Sequence, residues 1–304
     1  MFNKHSKNKG ICTVLVILSV AVFALCGLSA CQIPRLQMNS QVDNSLEPKV
    51  SSGSTMHSGI LTVGVNTSNS PYGGTNSNGE TVGLDVDIAA AVAQELGLSL
   101  QIVDVNSNGR NALNNSQVDV AFGLSKTGTS DKVSYTDSYI SDGPALFCLK
   151  GSEPASIESV ASEAAAGTAK ILVQADTTSA MKVQETVGVD KIIAEPTIQA
   201  AFDALESGEQ KYLVADAVIG DYFARNYDNV VRYGFLGADC VTPIYAVTLS
   251  SNKELSAEVS SAVSTITKNG VLRVITAKWL GTDAATLLPG KVDLSKLPAG
   301  AFGV

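Results

Sequence analysis

The chain has 304 residues, 45% of them hydrophobic and 16% charged, which suits a large buried core and is too apolar for a disordered tail. Its formal net charge of −8 disfavours nucleic acid as a partner. Only two histidines are present, His5 and His57, which removes histidine-based triads and most metal sites.

Lys4, Lys7 and Lys9 precede the apolar run Ile11 to Leu28, the pattern of a targeting segment rather than of a folded element. The run ends in Leu28-Ser29-Ala30-Cys31, which resembles the bacterial lipobox and makes Cys31 the expected site of cleavage and acylation. A plain secretion signal or an N-terminal anchor is the alternative. Lipid on Cys31 would hold the protein on a membrane surface. Losing residues 1–30 takes three of the 21 basic residues and none of the 29 acidic ones, leaving a net charge of −11. An electrostatically held membrane patch is therefore not expected. Residues 31–58, rich in Ser, Asn and Pro and without periodicity, read as a flexible tether. Cys148 and Cys240 fit either a disulfide in an oxidising compartment or two buried free thiols.

Ile60 to Val65 (ILTVGV) is a short β-branched block of the kind buried in a parallel sheet. A Ser-, Asn-, Gly- and Pro-rich loop follows. Asp85 stands where a helix N-cap is expected, and Ile88, Val92 and Leu96 recur on one helical face that stops at Gly97. Leu98 to Val105 is a second strand-like block, so a right-handed βαβ unit and a parallel core sheet are expected.

The text LTVGVN…SPY…NGETVGLDVDIAAAVAQELG resembles the opening of the amino-acid-type extracellular solute-binding proteins of ABC importers, solute-binding family 3. Further pieces follow in family order through most of residues 58 to 283. They are Arg110 to Leu113, Val118-Asp119-Val120, Gly123-Leu124-Ser125-Lys126-Thr127 and Val133 to Asp137. Beyond these come Ile171 to Ser179 (strand, turn, helix), Tyr212 to Asp221 (D-A-x-x-x-D, read as a closing strand), Ile244 to Leu249, a helix over Leu255 to Asn269, and NGVLRVITAKWLG over 269–281.

The resemblance implies a two-lobed α/β fold of the periplasmic-binding-protein type II class. One lobe is expected over 59–145 plus 246–304 and the other over 146–245, joined by two crossing strands around a ligand cleft that closes by hinge motion. It implies a lipid-anchored, extracytoplasmic substrate-binding subunit that takes a small polar, amino-acid-like solute and delivers it to an ABC permease, with no cofactor. Two other readings stay open: a sensor or interaction lipoprotein with a degenerate cleft, and an enzyme, since related dehydratases share the fold.

The resemblance also assigns site residues. Asp221 would take an ammonium group. Thr177 and Thr178, opening a helix, would take an anion. Gly123 and Ser125 would hydrogen-bond the ligand, and Arg110 would grip a side-chain carboxylate. Three positions depart from the family pattern. Its T-x-x-R reads Thr127 to Ser130, without the arginine that clamps the α-carboxylate; its first loop aromatic is Asn69, leaving Pro71-Tyr72; and Asp176 replaces a glycine. Losing a charged contact of that kind costs on the order of 1.5–3 kcal/mol. Either Lys126 or Arg110 substitutes, or the ligand is not a standard α-amino acid.

Overall fold

Two β-sheets carry residues 47–126 and 132–298, the part of the chain that the computed structural model describes. The expected signal segment, Cys31, the tether as far as residue 46, and the Thr127 to Ser130 motif lie outside the described residues.

The chain enters through β1 (Ile60–Val65), whose Leu61, Val63 and Val65 are fully buried. A small hairpin, β2 (Gly74–Thr75) and β3 (Thr81–Val82), leads into α1 (Leu84–Glu95). The buried face of α1 is Leu84, Ile88, Ala89, Val92 and Ala93, the 3.6-residue stripe expected of a helix on a sheet. Its N-cap is Gly83 rather than Asp85, because the loop already supplies acceptors: Leu84 N–H donates to Pro71 O and Asp85 N–H to Tyr72 O. Gly83 must be glycine here, at φ 154° and with a Cβ position 2.2 Å from Tyr72 O.

β4 (Ser99–Asp104), α2 (Gly109–Asn114), β5 (Val120–Ser125), β6 (Val133–Tyr135) and β7 (Ile140–Asp142) follow. The chain then crosses into β8 (Pro144–Leu149), α3 (Ile157–Ala166), β9 (Ile171–Gln174) and α4 (Thr178–Val187). Next come β10 (Ile192–Glu195), α5 (Ile198–Glu206), β11 (Tyr212–Asp216), α6 (Ala217–Ala224) and β12 (Val230–Phe235). A return crossing leads to β13 (Thr242–Leu249), α7 (Lys253–Lys268) and α8 (Val271–Leu280).

The first sheet has the order β4-β1-β5-β13-β6, with β7 also on β13; β1 is parallel to β4 and β5, and β13 is antiparallel to its partners. The second has the order β10-β9-β11-β8-β12, parallel from β10 to β11 and antiparallel around β8. The two crossings run side by side, Thr242 in register with Asp142. Gly143 sits there at φ 133°, and a Cβ on it would lie 2.1 Å from Cys240 O.

Three expectations need correcting. The tether ends before residue 58: Val50 is buried, Ser51 and Ser54 donate to Glu254, and the Met56 and Thr62 amides donate to the two oxygens of Asp119. Polar residues that read as solvent-facing instead satisfy charged groups of the first lobe. The strand read through Asp221 stops at Asp216, and 217–224 is helical. Its β-branched Val218 and Ile219 mimic strand text, but the amides of Ala217 and Val218 are capped by Gly143 O and Asp142 Oδ1. Cys148 and Cys240 are both free and buried. Cys240 abuts Gly143, and Cys148 lies five residues farther along β8, about 16 Å at 3.3 Å per residue. That separation exceeds the roughly 7 Å limit for a disulfide.

Residues 282–298 pack onto the fold, with Ala284 and Leu287 fully buried. This segment and α8 connect the lobes. Trp279 Nε1 donates to Asp87 on α1, Arg225 on α6 donates to the carbonyls of Lys278 and Trp279, and Ala238 N–H donates to Pro298 O.

Candidate functional site

The carboxyl ends of the parallel strands β9 and β11 finish at Gln174 and Asp216, and α4 and α6 begin just beyond them. Crevices outside such strand ends are where open α/β sheets bind ligands. A cavity of about 160 Å³ lies here. Its floor is Gln174, Thr177, Ser179 and Asp216 from the second lobe, with Ile198, Val214 and Ile219 as an apolar wall. The loop Asn69 to Tyr72 faces them from the first lobe, and Asp142 comes from the crossing itself.

Asp142 joins the three parts. Its Oδ1 accepts the amides of Gly143 (2.8 Å) and Val218 (3.0 Å), and its Oδ2 accepts the Tyr72 hydroxyl (2.7 Å). Burial, and then the neighbouring Asp216 carboxylate, push its carboxyl up to about 6. Burial followed by the Asp142 charge also raises the Tyr72 phenol well above its usual value. On the other acid, Ser179 Oγ donates to Asp216 Oδ1.

Of the residues expected from sequence, Asn69, Tyr72 and Thr177 line this cavity. Thr177 is also the α4 N-cap, accepting the Ala180 amide (3.1 Å) while donating to Gln174 O (2.9 Å); Thr178 is the first helical residue and is not in the lining. The Gly123–Ser125 segment, at the end of β5, is not in the lining. Gly123 N–H donates to Tyr139 Oη (2.8 Å), and Tyr139 donates to Asp85 (2.6 Å), whose buried carboxyl is raised to about 7 by desolvation. Arg110 donates to Tyr135 Oη and to Ser125 O, and Lys126 Nζ stands 4.7 Å from the Tyr245 ring centroid. Asp221 is turned away from the cavity: it is buried on α6 and held by Arg232 Nε at 2.9 Å, while Arg232 Nη2 reaches Thr286. The ammonium role expected for Asp221 is thus blocked by a buried guanidinium already on it.

Asp142, Gln174, Ser179 and Asp216 are lining residues that the sequence reading did not single out. Asp216 was within reach as the first acid of the D-A-x-x-x-D motif; ending β11 five residues sooner selects it over Asp221.

The profile of bacterial extracellular solute-binding proteins, family 3, matches residues 61–282. The chain belongs to that family. Like other members it is a two-lobed, periplasmic-binding-protein-like protein of type II. It is 25% identical over 279 residues to the ABC transporter glutamine-binding protein GlnH of Bacillus subtilis (strain 168), covering 88% of this chain and 96% of that one. Among solved structures it is similar to an Ancestral Cationic Amino Acid Solute Binding Protein (AncCDT-1), with TM-score 0.62, 26% identity and coverage of 73% and 96%. A polar amino acid ABC uptake transporter substrate binding protein from Streptococcus thermophilus shares the fold, with TM-score 0.63, 22% identity and coverage of 76% and 89%. Family 3 members are extracellular solute-binding proteins, which gives this chain its general role and its side of the membrane.

Proposed function

We propose that the protein is the lipid-anchored substrate-binding subunit of an ABC importer and holds a small polar, amino-acid-related solute between its lobes. The observation that carries this reading is the cavity itself. It draws on a loop of the first sheet, the strand ends of the second and the crossing between them, in a chain whose family profile runs through both lobes. A solute there touches both lobes at once, so its binding energy favours the closed arrangement. The glutamine-binding relative supports an amino-acid-like solute and an ABC permease as the partner. The Leu28-Ser29-Ala30-Cys31 sequence supports anchoring through Cys31.

Thermal-shift measurement against a panel of amino acids, amines and small polar metabolites tests the binding role. At least one compound is expected to raise the melting temperature in a concentration-dependent way. Silence across the whole panel would remove the claim. Anchoring is tested separately: Cys31→Ala should release the protein from membranes and abolish incorporation of labelled fatty acid.

A further inference from the structure

We propose that Arg225 is an interlobe latch: by capping the carboxyl end of α8 it holds the second lobe in the arrangement seen here, and its release loosens the cavity between the lobes. The latch adds a means of regulation to the solute-binding reading and rests on that reading only for its purpose. It can be measured without any solute.

Arg225 is the C-cap of α6, a helix that packs on β8, β11 and β12 of the second lobe. Its Nη1 donates to Lys278 O (3.0 Å) and to Trp279 O, two carbonyls in the last turn of α8. A helix leaves such carbonyls without partners of its own, and its dipole favours a cation at that end. The Tyr222 ring centroid, 5.2 Å from the guanidinium carbon, steadies the side chain from below. Gly281 makes room for the stem: at φ 87°, a Cβ there would lie 3.3 Å from Arg225 Cγ. Among the described residues Arg225 has no ion pair with a carboxylate, so the helix end is what holds it.

The contact belongs to a circuit of bonds that passes through the cavity. On the first-lobe side, Trp279 Nε1 (2.7 Å) and Lys278 Nζ donate to Asp87 in the first turn of α1. Amides of that same turn hold the cavity loop, Leu84 N–H on Pro71 O and Asp85 N–H on Tyr72 O. The Tyr72 hydroxyl then reaches Asp142, which also takes the Val218 amide at the start of α6. Helix α6 is therefore fastened to the first lobe at both ends, through Asp142 and Tyr72 at one and through Arg225 at the other. Its eight residues span about 12 Å at 1.5 Å per residue. In a turn about the crossings the inner end would stay near the axis and the outer end would travel. A turn of roughly 15° about an axis across α6 carries Arg225 about 3 Å, enough to break its hydrogen bonds. Arg225 is exposed, so the contact is weak enough to be broken and remade as the lobes turn. Two arrangements of similar free energy are shifted by one contact of that strength.

The test is hydrogen–deuterium exchange read by mass spectrometry on the ligand-free full chain in detergent. Arg225→Ala is expected to speed exchange about threefold or more in the cavity segments 66–73 and 217–219, while the buried strand β1 exchanges as before. Because Arg225 is exposed, its loss leaves both cores intact. Arg225→Lys, which keeps a cation at the helix end, should stay within about twofold of the wild type. Arg273→Ala, which removes an exposed cation from α8, should change nothing at the cavity. Faster exchange confined to 222–226 and 276–282, or no change anywhere, would overturn the latch and leave the solute-binding role standing. So would an equal gain in β1, which marks general destabilisation, or Arg225→Lys or Arg273→Ala behaving like Arg225→Ala. The expected pattern together with a silent metabolite panel would keep the latch and remove the solute-binding reading.

Discussion

At the scale of single residues, two strongly raised carboxyls shape how stability depends on pH. Asp85 and Asp142 are raised to about 7 and about 6, in each case first by burial. A raised carboxyl means that the native chain keeps protons which the unfolded chain releases from about pH 4 upward. Their contribution is therefore complete below about pH 4 and is lost as the pH climbs through 6 and 7. The acids with lowered values, such as Glu254 and Asp104, are exposed and titrate below that window. The ligand-free protein should thus show a falling melting temperature between pH 5 and pH 8. Asp85→Asn, which can still accept from Tyr139, should flatten most of that slope, as differential scanning calorimetry across the range would show. Arg232 makes a different kind of contribution. Its pair with Asp221 is nearly closed to solvent, at 9% and 6% exposure, so Arg232→Ala strands a buried charge and should cost about 3–5 kcal/mol in denaturant unfolding. The double change Asp221→Leu with Arg232→Met should cost much less.

At the scale of elements, α4 and α5 allow a controlled comparison. Each begins with a threonine N-cap, Thr177 accepting from Ala180 and Thr197 from Ala200, both at 3.1 Å. Replacing either by Ala should cost about 1 kcal/mol of stability. Only Thr177 lines the cavity, so Thr177→Ala alone should also weaken solute binding in a calorimetric titration. The elements were largely legible in the sequence because their periodicities are clean. The largely buried β1, the Ile88–Val92 stripe of α1 and the block at Ile171 appear where their patterns put them. The failures share a cause. Val218 and Ile219 carry strand propensity, yet capping by the crossing makes them helical, and that contact joins residues far apart in the chain. The same distance hid Asp142, whose role comes from partners 70 and 76 residues away. Asn69 and Tyr72 were legible through the resemblance, because the family's loop pattern falls on a local stretch of the chain.

At the scale of the molecule, the chain before β1 is part of the first lobe. Residues 47–58 satisfy Asp119 and Glu254 and bury Val50, Ser54 and Thr55. A fragment starting at residue 59 leaves the partly buried Asp119 without the Met56 amide, at a cost of roughly 1.5–3 kcal/mol for a hydrogen bond to a charged group. Its melting temperature should fall several degrees below that of a fragment starting at residue 47, by roughly 2–4 °C per kcal/mol for a chain of this size. Equal melting temperatures would mean that the docked segment contributes nothing. The lobes themselves are joined by more than the two crossings, since Arg225 donates to the end of α8 and the Ala238 amide to Pro298 O of the C-terminal segment. That second attachment favours a rotation about the crossings over a free separation in the hinge motion expected of the fold.

Asp142 lies on those crossings, and a point on an axis sweeps almost no arc. Clamped to the first turn of α6 through Gly143 O and the Val218 amide, it is tied to the second lobe beside Asp216. Were the lobes to turn about the crossings, as proposed, the Asn69–Tyr72 loop of the first lobe would make the larger excursion relative to Asp142. On the proposed reading, an arriving solute would meet a half-built receptor before closure, and the loop with Tyr72 would seal it afterwards. Stopped-flow records of binding would accordingly show a fast phase that scales with solute concentration, followed by a slower one that saturates.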